Sequence, residues 1–152
     1  MIKHSENPIH VTTAETFIQK FISNPDLSLT DVPANISIVK TGHGRQNSPL
    51  ASSQFKTDNL KKETAWFNIR TASLFRKLVI KTDQKRGVSI GELRNVYGGS
   101  KNRGVRPSKH VKGSKYVIGL AIKNLRDMGL VDQAFGVTEK GMVLAKSLCE
   151  SE

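Results

Sequence analysis

Ser114-Lys-Tyr-Val-Ile-Gly-Leu-Ala-Ile-Lys-Asn-Leu-Arg-Asp-Met-Gly-Leu-Val-Asp-Gln-Ala-Phe-Gly-Val-Thr138 is the stretch that decides the fold. Val117, Ala121, Leu125 and Met128 recur on one helical face, Ile118 and Ile122 widen it, and Gly129 closes the helix. Leu130-Val131, the run Asp132 to Gly136, and Val137 then suggest a small hairpin. Thr138 caps a last helix that carries Met142, Val143, Leu144 and Leu148.

Upstream, Ser89 and Glu92 have capping-box spacing and open a short third helix. Its expected buried side is Ile90, Leu93, Val96 and Tyr97, and Gly98-Gly99 ends it. A longer second helix is predicted from near Lys62 to about Lys81, with Phe67, Leu74, Leu78, Ile69 and Phe75 as a wide apolar stripe. Trp66 stands at its head and, like Phe67, reads as core before it reads as a stacking platform. Residues 12–23 predict a first helix, with Thr12 or Thr13 as cap and Phe17, Ile18, Phe21 and Ile22 facing inward. The order, a run of helices, a hairpin and a last helix, predicts a mostly α protein: a winged helix-turn-helix with additional helices and a small β-hairpin.

Two segments fall outside this pattern. Thr41 to Asn59 is polar, aperiodic and contains Pro49, so it reads as a loop insertion in a single domain spanning residues 1–152. Ser100 to Lys112 holds Gly104 and Pro107 and lacks an apolar period, so no regular element is expected there.

Charge points to a partner. The chain has a net charge of +11, and a compact body that basic repels itself unless an anion neutralises it. The excess is local: residues 61–118 hold fifteen Lys and Arg against only Glu63, Asp83 and Glu92. Within that span Arg94, Lys101, Arg103, Arg106, Lys109, Lys112 and Lys115 follow closely, with no acid after Glu92. Interleaved glycines let backbone approach phosphates, Arg forks onto them and Lys adds mobile charge. Ser114 and the amides behind it form a helix N-terminus suited to an anion. Arg70, Arg76 and Lys77 lie off the second helix's apolar stripe and can face the same polyanion.

Other chemistry finds no support in the residues. Gly99 to Gly104 starts like a phosphate-binding P-loop, but Val105-Arg106 stand where Lys and Ser or Thr are needed. His4, His10, His43 and His110 are scattered, so no metal and no cofactor are expected. No nucleophile lies beside a base, so an enzyme is not expected. The one cysteine, Cys149, favours a reducing compartment, and neither a signal peptide nor a membrane span is expected.

Trp66-Phe67, Arg70, Ala72-Ser73, Tyr97-Gly98-Gly99, Gly104-Val105, Pro107-Ser108, Gly113-Ser114 and Gly129-Leu130-Val131 together resemble a known family. It is the eukaryotic and archaeal small-subunit ribosomal protein nineteen, and the likeness runs from about Lys62 to Leu148. The resemblance implies a winged-helix body in the head of the small subunit, bound to ribosomal RNA beside neighbouring ribosomal proteins and aiding subunit maturation. It implies cytoplasmic ribosomes as the location, with nucleolar passage in a eukaryote, and no homo-oligomer. Carried over by position, Arg70, Arg103, Arg106, Lys112 and Lys115 are its RNA-facing candidates. The chain departs from the family at Ala34-Asn35 after Val32-Pro33, at Lys109, and at Gly119-Leu120, where a basic pair is usual.

The competing reading is a winged-helix transcription regulator on duplex DNA, reading through Lys115, Lys123, Asn124 and Arg126. Its wing would be Asp132 to Gly136, which carries no basic residue, so the basic loop is the stronger candidate.

Overall fold

A computed structural model describes residues 12–23, 65–84, 87–113, 115–133 and 135–150. The expected 41–59 insertion, the helix start near Lys62, Ser114, and the side chains of Trp66 and Lys101 lie outside the described residues. Five helices and one ribbon follow in order: α1 (Ala14–Ser23), α2 (Ala65–Asp83), α3 (Ile90–Val96), β1 (Gly99–Arg103), β2 (Arg106–Val111), α4 (Lys115–Asp127) and α5 (Glu139–Glu150). The protein is mostly helical, as its periodicity predicts.

The helices start where their caps stand. Thr13 Oγ1 accepts from the Thr16 amide at 3.3 Å at the head of α1. Ser89 Oγ accepts from the Glu92 amide at 3.3 Å at the head of α3. Thr138 Oγ1 accepts from the Gly141 amide at 3.3 Å and donates to the Gly129 carbonyl at 2.7 Å, closing α4's exit onto α5's entrance. The Glu92 carboxylate meets Lys81 Nζ at 2.8 Å, tying α3 to α2.

α2 is the centre of the body, packed by α1, α4 and α5. That explains its broad apolar surface: Phe67, Ala72, Leu74, Phe75, Leu78 and Val79 are all buried. Phe75 packs against Phe17 and Phe21 of α1, with ring centroids 6.1 and 5.4 Å away. The buried Thr71 hydroxyl donates to the Phe67 carbonyl at 2.9 Å, so it carries no unmet hydrogen bond into the core. α4 buries Val117, Ile118, Ala121, Ile122 and Leu125.

The expected hairpin at 130–137 reduces to a single bridge, Val131 to Val137. Phe135 there takes a left-handed backbone (φ 62°), and the Asp132 carboxylate accepts from the Gly136 amide at 2.9 Å. That turn is too tight for a ladder. Val143 is not core but 68% exposed; α5 instead buries Gly141, Ala145 and Leu148. A side chain at Gly141 would come within 2.6 Å of the Leu130 carbonyl oxygen and of Val137, so α5 approaches by its backbone. Val96 is likewise 48% exposed, because α3 is short and buries only Leu93.

Candidate nucleic-acid interface

The segment expected to be irregular is the protein's one β-ribbon among the described residues. β1 and β2 run antiparallel, pairing Gly99 with Val111, Ser100 with His110, Lys101 with Lys109, and Arg103 with Arg106. A register irregularity falls between Lys101 and Arg103. Apolar alternation could not reveal the second strand, because Arg106 to His110 are all exposed and β2 has no core face. The readable cue was Arg103-Gly104-Val105-Arg106. A two-residue loop with glycine at its first position suits a hairpin whose turn needs positive φ there, and Gly104 has φ 74°. Pro107 is tolerated because a two-stranded ribbon consists only of edges.

The ribbon leaves the body through a narrow root. A side chain at Gly98 would strike the Val111 carbonyl oxygen, and one at Gly113 would come within 3.1 Å of Tyr97 backbone atoms. Arg94 Nε donates to the Gly113 carbonyl at 2.9 Å, and the Gly113 amide donates back to the Arg94 carbonyl at 2.8 Å. Tyr97, capping α3, bonds Ser73 Oγ through its hydroxyl at 2.8 Å. The Arg70 guanidinium sits 4.4 Å above its ring centroid, and Lys77 Nζ is 5.8 Å from it. Burial pushes the Arg70 and Lys77 pKa values down and that of the Tyr97 phenol up. α2 thus grips the ribbon's base through stacked cations.

Above that root the neighbouring sequence supplies no counter-charge. From Leu93 to Arg126 the chain contains no Asp or Glu. The register sets Lys101 opposite Lys109 and Arg103 opposite Arg106, and like charges opposed across a ladder are destabilising by themselves. Arg103 directs Nε and Nη2 to the Pro107 carbonyl at 2.9 and 2.7 Å, leaving Nη1 for an external acceptor. Arg106, Lys109, Lys112 and Lys115 are exposed along β2 and into α4. The geometry suits a polyanion laid against the ribbon, with the chain's own backbone keeping the guanidinium of Arg103 oriented.

Of the ten expected contact residues, Ser114 lies outside the described residues and the other nine divide. Arg103, Arg106, Lys109, Lys112 and Lys115 gather on the ribbon and its exit, and the backbone of Lys101 lies on β1. Arg70 and Arg94 belong to the root, where they position the ribbon. Arg76 stands about a third of a turn around α2 from Arg70, its Nη2 3.5 Å from the Thr12 carbonyl and its Nε buried without a hydrogen bond. It faces α1 rather than the ribbon. Arg126 is also occupied: Nε and Nη2 reach the Asp132 and Gln133 carbonyls at 3.3 and 3.1 Å, and the guanidinium covers Phe135. Two of its nitrogens are therefore already engaged by the turn. Sequence shows that an arginine is present but not that a backbone carbonyl engages it, so the roles of Arg94 and Arg126 were not readable.

Arg94→Ala isolates the root. The charged hydrogen bond to Gly113 is removed while the helical core is untouched, so amides of β1 and β2 should exchange roughly tenfold faster with solvent. Those of α2 and α4 should keep their rates. Unchanged exchange across residues 99–111 in the variant would show that Arg94 does not brace the ribbon.

The sequence profile of ribosomal protein S19e matches residues 10–151. Small ribosomal subunit protein eS19A of Saccharomyces cerevisiae is 31% identical over 102 residues, covering 67% of this chain and 60% of the yeast protein. The eS19 protein of Candida albicans gives the same identity and coverage. That of Encephalitozoon cuniculi is 32% identical over 115 residues, covering 74% of this chain and 72% of the relative. The matched region thus spans about three-fifths of the length of the yeast relatives.

Proposed function

The chain belongs to the ribosomal protein S19e family, and from that premise we propose that it is a structural constituent of the small ribosomal subunit. It holds ribosomal RNA through the ribbon at 99–111 and the start of α4. The observation that carries this reading is an exposed ribbon with like charges opposed across its strands, in a stretch from Leu93 to Arg126 that holds no acid. Such a ribbon is at ease only beside a polyanion. Phosphate contacts of this kind give affinity and orientation rather than sequence choice, which suits a protein whose RNA is already in place. The family is one of ribosomal proteins, a structural and non-enzymatic class.

The finer reading is a winged helix-turn-helix: α2, α3 and α4 as the trihelical core, the Val131–Val137 turn as a reduced wing, and the basic ribbon inserted between α3 and α4. The packing of α4 against both α2 and α3 supports it. We place the protein in the head of the subunit, beside other small-subunit proteins and as a single copy. It acts in cytoplasmic ribosomes and, in a eukaryote, passes through the nucleolus during assembly. A DNA regulator is disfavoured by Arg126's engagement with the turn and by a wing, Asp132 to Gly136, without a cation.

Sedimentation of cell extract at modest salt tests the proposal. The protein should travel with small subunits and whole ribosomes, and RNase should release it. A protein found mostly free in untreated extract, or on chromatin, would overturn it. Depletion should also leave unprocessed small-subunit RNA precursor while large subunits still form.

A further inference from the structure

The turn of the ribbon has two residues, and only one of them carries a side chain. Gly104 supplies the positive φ of 74° that the turn needs, and Val105 follows it. After such a glycine the second position usually holds Asn, Asp or Ser, whose side chains suit water. Val105 is apolar and 105% exposed, so it rests on none of the described residues. The other large apolar side chains that stand out, Val96, Tyr116 and Val143, are 48%, 49% and 68% exposed and keep part of their surface covered.

One exposed valine is ordinary on a protein surface. The company of this one is not. Arg103 and Arg106 pair across the ladder directly beneath it, and both are exposed. Arg103 is held on the Pro107 carbonyl by hydrogen bonds of 2.9 and 2.7 Å, so its guanidinium stays beside the turn and Val105 remains uncovered. No acid occurs between Leu93 and Arg126. An apolar point between two cations matches RNA, which sets apolar base faces between phosphates. Magnitudes narrow the RNA further. Prising apart a base step in a continuous helix costs about as much as burying one valine returns, so a wedge gains nothing in an intact stem. A bulge, an internal loop or a helix end already bares a base face. We propose that the tip of the ribbon recognises an interrupted RNA helix, with Val105 covering the bared base face while Arg103 and Arg106 hold the phosphates on either side. This rests on the ribosomal RNA reading above and adds to it a choice of RNA shape that phosphate contacts alone do not make.

The test titrates the full chain with two synthetic RNAs: a hairpin with an uninterrupted stem, and the same hairpin with two unpaired nucleotides bulged from it. Wild type should bind the bulged hairpin roughly tenfold more tightly. Val105→Thr keeps the branched shape and exchanges a methyl for a hydroxyl, so the melting temperature should stay within a degree or two. Its preference should fall to about twofold. Affinity for the uninterrupted hairpin and the salt slope should not change, since no charge is altered. Val105→Ile should keep the preference. The bulge adds the same phosphates for every variant, so comparison between variants isolates the valine. Equal affinity of wild type for the two hairpins would overturn the proposal, as would a full preference in Val105→Thr. If that variant keeps the preference yet fails to enter subunits, the tip meets a protein neighbour instead. If Arg103→Ala with Arg106→Ala binds both hairpins and small-subunit ribosomal RNA like wild type, the ribosomal RNA reading itself fails. Loss of the shape preference alone leaves that reading standing.

Discussion

Arg103→Ala combined with Arg106→Ala should lower affinity for small-subunit ribosomal RNA about thirtyfold and flatten the salt dependence by about two units, one for each phosphate no longer neutralised. The two residues face each other across the ribbon just below its tip, and both are exposed. Their removal leaves the core intact, so the melting temperature should stay within a degree or two of wild type, as surface substitutions usually do. Arg103 also holds the Pro107 carbonyl, so amides near the tip should exchange faster, while those at the root should not. Lys146→Glu is the matched control. It removes the same net charge from an exposed position on α5, and it should leave both affinity and slope near wild type. Salt titrations of all three proteins decide the matter. Equal losses in the control and the pair would mean that net charge, not the ribbon, drives binding.

Phe75→Ala should destabilise the fold by about 3–5 kcal/mol, a large part of the ~5–15 kcal/mol that holds a domain together. Phe75 is fully buried and its ring is seated against both phenylalanines of α1. A cavity there is lined by rigid rings that close on it poorly. Urea melts should show a midpoint shift with little change in slope, and amides of α1 should exchange fastest of all the helices. Phe75→Leu keeps most of the volume and should cost less than about 1.5 kcal/mol. A loss below about 1 kcal/mol for Phe75→Ala would show that α1 is not docked on α2 in solution.

How far the sequence reaches depends on what each element buries. α1, α2 and α4 each bury a helical face, so Phe17 to Ile22, Phe67 to Leu78 and Val117 to Leu125 announce them. Ser89 announced α3 through a side-chain hydrogen bond that spacing alone implies. β2 buries almost nothing and leaves no hydrophobic trace; the glycine of the two-residue turn is what discloses the ribbon. The short helix α3 and the outer side of α5 defeat the same reasoning from the other side, since Val96 and Val143 satisfy a period yet stand exposed. For the candidate interface, composition located the cationic stretch, but only geometry separates Arg103 and Arg106, which stand outward, from Arg94, which braces the root, and Arg76, which serves α1.

The ribbon also bears on how copies of the chain meet one another. β1 and β2 pair with no third strand among the described residues, so each offers an open row of peptide groups. Such rows invite a strand from another molecule and are a common start of aggregation. Here Pro107 withholds an amide, the irregularity between Lys101 and Arg103 breaks the row, and arginines flank the turn. Two newly made copies meeting ribbon to ribbon repel each other. The side chains proposed to face RNA would therefore also keep unbound copies of the chain apart.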